Sequence, residues 1–320
     1  MHSFAIVTPS YQQARFLSAT IRSVLDQHYP HLDHLVVDGG STDGTIELLR
    51  QFDPPVRFVS ESDRGQADAI NKGFRLTQGE ILSWLNSDDM LAAGALERVD
   101  QAFAENPDVG LVYGDARFID ADGNDIGPCV QVEPFDRRRL LTHSDYIAQP
   151  AAFFRRSLFE QAGPLDISLH WAMDYDFFLK ATQTARVLYL PRVLAHYRFH
   201  PAGKTASSGR DRIEEVRRVV RRYGQTRLPA YFELELAAID LADAIAQSRR
   251  GRIDRGAITL LRAMSHLLTN PPSVLTLAAP QTRRIIAARR SLRAAMQGRE
   301  RAEISGGEEI EPPRAPRRQG

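Results

Sequence analysis

The chain contains 320 residues, of which 43% are hydrophobic and 25% are charged, as in an ordinary soluble globular protein. Its single cysteine, Cys129, excludes an internal disulfide and suits a reducing cytosol, and no apolar run is long enough to span a bilayer. The net charge of +1 conceals an acidic part and a basic part: residues 1–200 hold 18 Lys and Arg against 27 Asp and Glu, whereas residues 201–320 hold 23 against 13.

Strand and helix patterns alternate through the first hundred residues. Short apolar segments predict strands at residues 4–7, 35–37, 56–59 and 81–85, and helical patterns occupy residues 14–27, 45–52 and 66–78. Repeated strand–loop–helix units of this length predict an α/β fold with a parallel sheet and helices on both faces.

The pattern becomes mixed after this region. Helices are predicted at residues 92–105, 156–161 and 171–182, and strands at residues 111–113, 151–154, 187–190 and 193–197. Beyond Pro201 the chain reads as helical and rich in arginine, and from Ser305 it is nearly free of apolar residues, which predicts disorder.

Two adjacent carboxylates follow the fourth predicted strand, in the stretch Asn86-Ser87-Asp88-Asp89. Ligands bind at the carboxyl edge of open α/β sheets, which is where this stretch is expected to lie. Neighbouring carboxylates repel each other unless a cation holds them, and Mg²⁺ or Mn²⁺ bound jointly with substrate phosphates is the natural partner. Acid pairs are also common in loops and helix caps.

This acid pair is one of five motifs in a fixed order. The others are Thr8-Pro9-Ser10-Tyr11, Asp38-Gly39-Gly40-Ser41-Thr42-Asp43, the stretch from Asp63 to Gly73 with Asp68-Ala69-Ile70-Asn71-Lys72-Gly73, and the stretch from Trp171 to Lys180. Their order and spacing over residues 4–205 resemble the family 2 glycosyltransferases. That resemblance implies the GT-A fold, a nucleotide-binding α/β sheet fused to an acceptor-binding half.

The resemblance also implies a domain organisation. Residues 1–205 would form the GT-A catalytic domain with a mostly parallel central sheet, divided into a nucleotide-sugar-binding half (1–110) and an acceptor-binding half (111–205). Residues 206–302 would form a basic helical extension, and residues 303–320 a disordered tail.

For the nucleotide sugar, the resemblance implicates Thr8, Pro9 and Tyr11, at the end of the first strand, and Asp38. Tyr11 can stack on a base or form a packed lid, and Asp38 can accept hydrogen bonds from a base or ribose or serve in a turn.

The third motif carries Ile70 where many members have Arg, so Asp68, Asn71 and Lys72 are expected to take over part of its role. The alternative is that these three are ordinary polar residues of a first helical turn.

For the metal, Asp89 matches the family's metal-binding acid. Asp88 matches the acid that contacts the ribose, the donor sugar or the metal through water. His200 follows the last predicted strand, where it completes the metal shell or is a loop histidine, and Lys204 is a candidate for contacting the diphosphate. Asn86 stands where the family often has Asp and is not expected to be a ligand.

Asp174 matches the general base of the family, with Met173 in place of the usual Glu. A carboxylate within hydrogen-bond reach of an acceptor hydroxyl can take its proton. The alternative is an acid favoured by the dipole at a helix start. Asp176, two residues on, points away from Asp174 and is expected to be structural, paired with Arg or Lys.

Together these features predict a metal-dependent inverting glycosyltransferase. It would use Mn²⁺ or Mg²⁺ and a nucleoside-diphosphate sugar and would act on a glycan or lipid-linked hydroxyl acceptor, in surface polysaccharide or glycolipid synthesis. The alternatives are a sugar nucleotidyltransferase, which would need a basic Gly-rich loop after the first strand, and a non-catalytic module that binds sugar nucleotides or glycans. A dinucleotide dehydrogenase is disfavoured because the chain has no Gly-x-Gly-x-x-Gly after that strand.

The expected location is the cytoplasm, since Met1-His2-Ser3 leads into a strand without a basic signal region. Residues 281–299 combine apolar residues near helical spacing with several arginines. This segment is either an interfacial helix on anionic lipid, which would place the protein peripherally at the inner face of the membrane, or a helix docked on the catalytic domain. Nucleic-acid binding is not expected because no aromatic residues alternate with the arginines.

Overall fold

The computed structural model describes residues 1–129, 132–200, 203, 204, 209–249, 258, 259 and 261. The strands are β1 Phe4–Ser10, β2 Leu32–Asp38, β3 Arg57–Ser60, β4 Ile81–Trp84, β5 Met90–Leu91, β6 Val109–Ile119, β7 Asp125–Pro128, β8 Ala152–Arg155 and β9 Arg186–Arg198. The α-helices are α1 Ala14–Leu25, α2 Thr45–Arg50, α3 Gln66–Leu76, α4 Ala95–Glu105, α5 Arg137–Thr142, α6 Arg156–Ala162, α7 Met173–Ala181, α8 Arg210–Arg222 and α9 Ala230–Arg249, and a 3-10 turn spans Gln149–Ala151.

The strands form one sheet in the order β3-β2-β1-β4-β8-β6-β9-β5, with β7 paired to β6. Its first four strands are parallel, as the repeated strand–helix pattern predicts. Ser10 lies opposite Asp38, which in turn lies opposite Ser60, so the carboxyl ends of β1, β2 and β3 are level. The loops that follow these strands therefore open at one edge of the sheet.

The rest of the sheet brings the end of β9 to the same region. Strand β8 runs antiparallel between β4 and β6, and β9 is parallel to β6. The short strand β5 pairs antiparallel with β9, with Met90 opposite His196 and Leu91 opposite Ala195. The acid pair, which directly precedes β5, is therefore held beside the end of β9.

Strand β9 corrects one expectation from the sequence, which predicts separate strands at 187–190 and 193–197. The structure has one continuous strand whose register against β6 jumps from Gly114–Leu190 to Asp115–Val193. The jump omits Pro191, which has no N–H to donate to a ladder. A Cβ on Gly114 would lie 2.7 Å from the carbonyl oxygen of Arg192, so a glycine permits this close approach.

Helix α3 packs directly on β1. A Cβ on Gly73 would lie only 2.3 Å from Cγ1 of Val7, so the missing side chain lets the helix approach the strand. Beside this contact, the ring of Trp84 on β4 stacks on Phe178 of α7, with centroids 6.3 Å apart. The helix expected to carry the general base is thus fixed against the centre of the sheet.

Helix α8 belongs to the same hydrophobic core. Its apolar residues Ile213, Val216, Val219 and Val220 are buried in one cluster with residues of α3, β4 and α7. The catalytic domain is expected to end near residue 205, but the residues of α8 beyond that position share its hydrophobic core. The basic segment 281–299 and the tail 303–320 lie outside the described residues.

No helix within the described ranges is both long and apolar enough to cross a membrane.

Candidate active site

Asp38, at the end of β2, ties the loops at the open edge together. Its carboxylate is fully buried and accepts hydrogen bonds from Oγ of Ser41 (2.5 Å), Oγ of Ser60 (2.7 Å) and the backbone N–H groups of Gly40 and Ser41. Both carboxylate oxygens are thus engaged by the protein itself. The predicted hydrogen bond from Asp38 to a nucleotide would compete with these contacts.

Tyr11 provides the exposed aromatic surface of the site, with 63% of its area accessible. It lies against Gly39, where an added Cβ would be 3.3 Å from the Tyr11 ring and 2.9 Å from the carboxylate of Asp63. A tyrosine ring and a carboxylate therefore flank a bare backbone segment. Asp63, which sequence reasoning did not single out, lies in the third motif.

Thr8 and Pro9 do not share this exposure. Both lie buried within β1, and Oγ1 of Thr8 is 3.0 Å from Nε2 of the buried His34. Their predicted role as nucleotide contacts is therefore not supported for the side chains, because alternate residues of a central strand face its packed sides.

Of the three polar residues predicted from α3, two stay near the surface. Asp68 accepts hydrogen bonds from the backbone N–H and guanidinium of Arg64, which lower the pKa of the Asp68 carboxyl. Lys72 forms an ion pair with Glu61 at 2.6 Å.

Asn71 is different, and the direct nucleotide contact expected for it is not supported. Its side-chain amide donates to the carbonyl oxygen of Leu165 and accepts from the Leu165 N–H, both at 2.9 Å. With 5% of its surface exposed, Asn71 fixes the loop that precedes α7.

The two acids of the pair have different environments. Asp89 is 2% exposed and accepts hydrogen bonds from Nδ2 of Asn86 (3.1 Å) and the N–H of Arg198 (2.9 Å). Burial, and next the charge of Asp88, raise the pKa of Asp89 well above its ordinary range. Each carboxylate oxygen of Asp89 thus accepts one hydrogen bond from the protein, and the role of Asp89 as a metal ligand stays a prediction.

Asp88 faces His200 instead. Oδ2 of Asp88 lies 3.1 Å from Nε2 of His200, and the Asp88 side chain is 21% exposed. The His200 ring is held against Phe16, with centroids 4.7 Å apart. Asp88 is thus the more exposed acid of the pair and lies next to His200, and the metal role of His200 stays a prediction.

These two residues suit a metal that is shared with a substrate. Among the residues that the structure describes, no group of three or more His, Cys, Asp and Glu could hold a metal. Mg²⁺ and Mn²⁺ at phosphate-transfer sites commonly take one or two protein ligands and complete their shell with substrate oxygens and water. One carboxylate and one imidazole meet that requirement.

Arg198 fixes the loop that carries the acid pair. Besides donating its N–H to Asp89, it donates Nε to the carbonyl oxygen of Asp88 at 2.8 Å and Nη1 to that of Asp120 at 2.9 Å. Arg198 is 5% exposed, and burial lowers the pKa of its guanidinium. Sequence reasoning missed this residue; its place two positions before His200 was the available signal.

A chain of amide side chains links the acid-pair loop to Lys204. Nζ of Lys204 donates to Oε1 of Gln66 at 2.7 Å, and Nε2 of Gln66 donates to Oδ1 of Asn86 at 2.6 Å. Nδ2 of Asn86 then donates to Oε1 of Gln149 at 3.1 Å. Gln66 and Gln149 were not predicted, although Gln66 lies within the third motif.

Asp174 occupies the first turn of α7, as predicted, and is partly buried. Burial raises the pKa of Asp174, while the charges of Lys204 and Arg212 and a hydrogen bond from the Tyr175 N–H act in the opposite direction. Asp145 lies in its electrostatic vicinity: burial and the charge of Asp174 raise the pKa of Asp145 well above its ordinary range. The two acids thus interact electrostatically, and burial raises the pKa of each.

Asp176 has the structural role that the sequence predicts. It is fully buried and forms ion pairs with Lys180 at 2.7 Å and Arg222 at 3.1 Å.

A small cleft lies between the start of α3 and the loop before α7. Its lining comprises Arg64, Gly65, Gln66, Ala67, Ile167, Ser168, Leu169, His170 and Lys204. Lys204 thus lines this cleft, is hydrogen-bonded to Gln66 and acts electrostatically on Asp174.

Comparison with known proteins identifies the family. Residues 5–163 match the model of glycosyl transferase family 2. A PGL/p-HBAD biosynthesis glycosyltransferase of Mycobacterium bovis is 32% identical over 201 residues, which are 61% of this chain and 76% of that protein. The chondroitin synthase of Escherichia coli is 28% identical over 192 residues, 59% of this chain but only 28% of that longer protein.

Solved structures show the same fold. Residues 1–349 of S. aureus TarS, in complex with UDP-GlcNAc, align with a TM-score of 0.57 at 18% identity, covering 74% of this chain and 71% of that one. The mannosyltransferase PcManGT of Pyrobaculum calidifontis, in complex with GDP-Man and Mn²⁺, aligns with a TM-score of 0.57 at 21% identity, covering 92% and 86%. The chain belongs to glycosyl transferase family 2 and is a glycosyltransferase with the GT-A fold.

Proposed function

We propose that the chain transfers one sugar from a nucleoside-diphosphate sugar to a hydroxyl acceptor, with inversion at the anomeric carbon and with a divalent metal. The observation that carries this proposal is the position of Lys204. It is hydrogen-bonded to the network of the acid-pair loop through Gln66, and its charge acts on Asp174. One lysine of the cleft therefore connects the loop of the candidate metal site with the candidate base.

Asp88 and His200 would hold the metal, with the diphosphate and water completing the shell. A divalent ion bound there neutralises the charge that develops on the departing diphosphate. Asn86, Asp89 and Arg198 keep the Asp88 loop in place through their mutual hydrogen bonds. The solved PcManGT structure, with GDP-Man and Mn²⁺, supports a metal of this kind.

The nucleotide would lie across the level ends of β1 and β2. Tyr11 offers a ring on which a base can stack, beside the backbone of Gly39 and the carboxylate of Asp63. Asp68 and Lys72 flank this region on α3. TarS in complex with UDP-GlcNAc and with UDP supports a nucleotide-sugar donor.

Asp174 would accept the proton of the acceptor hydroxyl as its oxygen bonds to the anomeric carbon. Attack from the face opposite the diphosphate inverts the anomeric configuration. A glycan or lipid-linked acceptor, in polysaccharide or glycolipid assembly, agrees with the names of the E. coli and M. bovis relatives. Peripheral membrane contact through residues 281–299 stays a prediction, because that segment lies outside the described residues.

The donor can be identified by melting the protein with UDP-, GDP- and dTDP-sugars in the presence of Mn²⁺, since a ligand that binds only the folded state raises the melting temperature. The selected donor is then incubated with candidate acceptors, and the anomeric configuration of the product is read by NMR. We expect an inverted anomer. A retained anomer would refute inversion, and binding without turnover over the full panel would favour a non-catalytic module.

Asp174→Asn tests the assigned base. Asn keeps the shape of the side chain but cannot accept the proton, so donor affinity should stay within about twofold while transfer falls about 100-fold or more. The matched control is Asp108→Asn, which alters an exposed acid just before β6 that pairs with Arg186. Wild-type turnover in Asp174→Asn would rule out Asp174 as the base.

A further inference from the structure

Helix α8 places a buried carboxylate directly against the start of α7. Glu215 is 7% exposed, and its Oε1 accepts the N–H of His170 at 2.9 Å. Its Oε2 accepts the N–H groups of Trp171 at 2.6 Å and Ala172 at 3.1 Å. Three consecutive backbone donors therefore converge on one side chain that lies more than forty residues further along the chain.

The sequence around α7 offers no substitute for this contact. The helix begins at Met173, and the residue before it, Ala172, has no side chain that could cap the helix. Backbone N–H groups at a helix start need partners, and a carboxylate there also interacts favourably with the helix dipole. Hydrogen bonds to an ionised acceptor are stronger than those between neutral groups. Glu215 thus binds from α8 the N–H groups that immediately precede α7, including that of the N-cap residue Ala172.

A second contact prevents α8 from turning away from α7. Arg222, two helical turns after Glu215 on the same face, forms ion pairs with Asp166 at 2.8 Å and Asp176 at 3.1 Å. The apolar residues between these two positions are buried in the shared core. The loop before α7 and the helix itself are therefore both attached to α8.

Glu215 also acts on the charge that faces Asp174. Burial lowers the pKa of Lys204, and the charges of Asp174 and Glu215 oppose that effect. The positive charge of Lys204 in turn favours the ionised form of Asp174. Removing the Glu215 carboxylate would thus disturb both the place of the base and the cation beside it.

We propose that Glu215 is a positioning residue for the transfer reaction: by holding the N–H groups of residues 170–172, it fixes the first turn of α7 and with it Asp174. This inference rests on the proposed function, in which Asp174 is the base. The family match ends at residue 163, so it includes neither Asp174 nor Glu215. The helix that the sequence presents as a basic extension is, in this proposal, part of the catalytic apparatus.

The test uses Glu215→Gln, which keeps one acceptor oxygen, and Glu215→Ala, which keeps none. The matched control is Glu214→Gln on the same helix. Glu214 is exposed, and within the described residues its one ion pair is with Arg217, three residues further along the helix. Each full-length variant is measured for the donor dissociation constant, kcat and backbone hydrogen exchange over residues 170–174.

We expect kcat to fall about 10- to 100-fold in Glu215→Ala and less in Glu215→Gln, while donor affinity changes less than about twofold, since misplacing a reacting group by about 1 Å can cost 100-fold. Exchange at residues 170–172 should accelerate in both variants and not in Glu214→Gln. A merely structural role would lower the melting temperature but leave kcat per folded molecule unchanged.

Wild-type kcat in folded Glu215→Ala, or unchanged exchange at residues 170–172, would overturn the proposal. If Glu215→Ala does not fold, Glu215→Gln decides by the same two readouts. If the wild-type chain turns over no donor at all, the proposed function has failed, whereas the exchange measurement still tests the contact between Glu215 and α7.

Discussion

Asp88 and Asp89 are neighbours in the sequence, yet the side chain of Asp88 is partly exposed and that of Asp89 is enclosed. The difference comes from partners far along the chain: Arg198 binds the Asp89 carboxylate through its N–H, and His200 lies beside Asp88. A motif shows that two acids follow a buried strand, but it does not show which of them points outward. The sequence therefore predicts an acid pair next to this part of the sheet, but it does not show which of the two carboxylates is the more accessible.

Lys204 should affect the pH at which kcat begins to fall on the acid side of the pH–rate profile. The charge of Lys204 favours ionised Asp174, so Lys204→Met should raise the pKa of Asp174 further above its ordinary range. Because the base works only when ionised, kcat in the variant should begin to fall at a higher pH than in the wild type as the solution is acidified.

The measurement is kcat against pH at saturating donor, so that a change in donor affinity does not affect the result. Arg75→Met, which removes an exposed cation from α3, is the control and should leave the acid limb in place. An acid limb that stays in place, or moves to lower pH, in Lys204→Met would contradict the assigned interaction.

Among the elements, those set by local periodicity agree best with the sequence. Helix α3 begins at Gln66 as predicted, and the first four strands lie within a few residues of their expected positions. Strand β9 was split in the prediction because Pro191 interrupts its pattern, and only pairing with β6 shows that the strand continues through an irregularity. Non-local pairing of this kind leaves little trace in a single sequence.

Gly73→Ala should destabilise the contact between α3 and β1. The new Cβ would lie 2.3 Å from Cγ1 and 2.7 Å from Cγ2 of Val7, so the helix must move. Overpacking of this type costs about 1–3 kcal/mol. The higher helix propensity of Ala compared with Gly offsets only about 1 kcal/mol of that cost. We expect a net loss in the free energy of unfolding measured with urea.

Gly209→Ala is the matched control for this substitution. Its backbone φ is −121° and no atom of the described residues lies within 4 Å of the new Cβ, so the free energy of unfolding should hardly change. Adding Val7→Ala to Gly73→Ala should restore part of the loss by removing the clashing methyl groups. A Gly73→Ala protein as stable as Gly209→Ala would show that the two elements adjust without cost.

For the whole molecule, the division into an acidic and a basic part is partly resolved by α8. Within the described residues, Arg222 pairs with Asp166 and Asp176, and Arg212 pairs with Glu235. Some of the arginines that suggest an anionic partner therefore stabilise the fold. The amino-acid composition shows the charge difference. The sequence does not show that α8 packs against α7, because the contact joins residues 170–172 to Glu215, more than forty residues away, and no sequence periodicity marks it.

The stability of the whole molecule should depend on His34. Complete burial lowers the pKa of His34 from 6.5 to about 4. Above pH 6.5 His34 is neutral in both states, whereas below it the unfolded chain binds a proton that the folded chain refuses, so stability falls with pH down to about 4. Between pH 7.5 and pH 5 this single group should lower the free energy of unfolding by about 2 kcal/mol.

The measurement is the free energy of unfolding in urea at pH 7.5 and at pH 5, for the wild type and for His34→Gln. The difference between the two pH values should be about 2 kcal/mol smaller in His34→Gln than in the wild type. His31→Gln, at an exposed position on the loop before β2, should behave like the wild type. An equal pH dependence in His34→Gln and the wild type would mean that His34 does not stay neutral in the fold.

The central claim is that Asp88, with His200, joins a metal to the diphosphate of the donor. Calorimetric titration of UDP and of GDP into the wild type, Asp88→Ala and Asp174→Asn, each with Mn²⁺ and with a chelator, tests it directly. We predict that Mn²⁺ tightens binding of one of the two nucleotides in the wild type and in Asp174→Asn, and that this gain disappears in Asp88→Ala. A full Mn²⁺-dependent gain in Asp88→Ala would contradict the account.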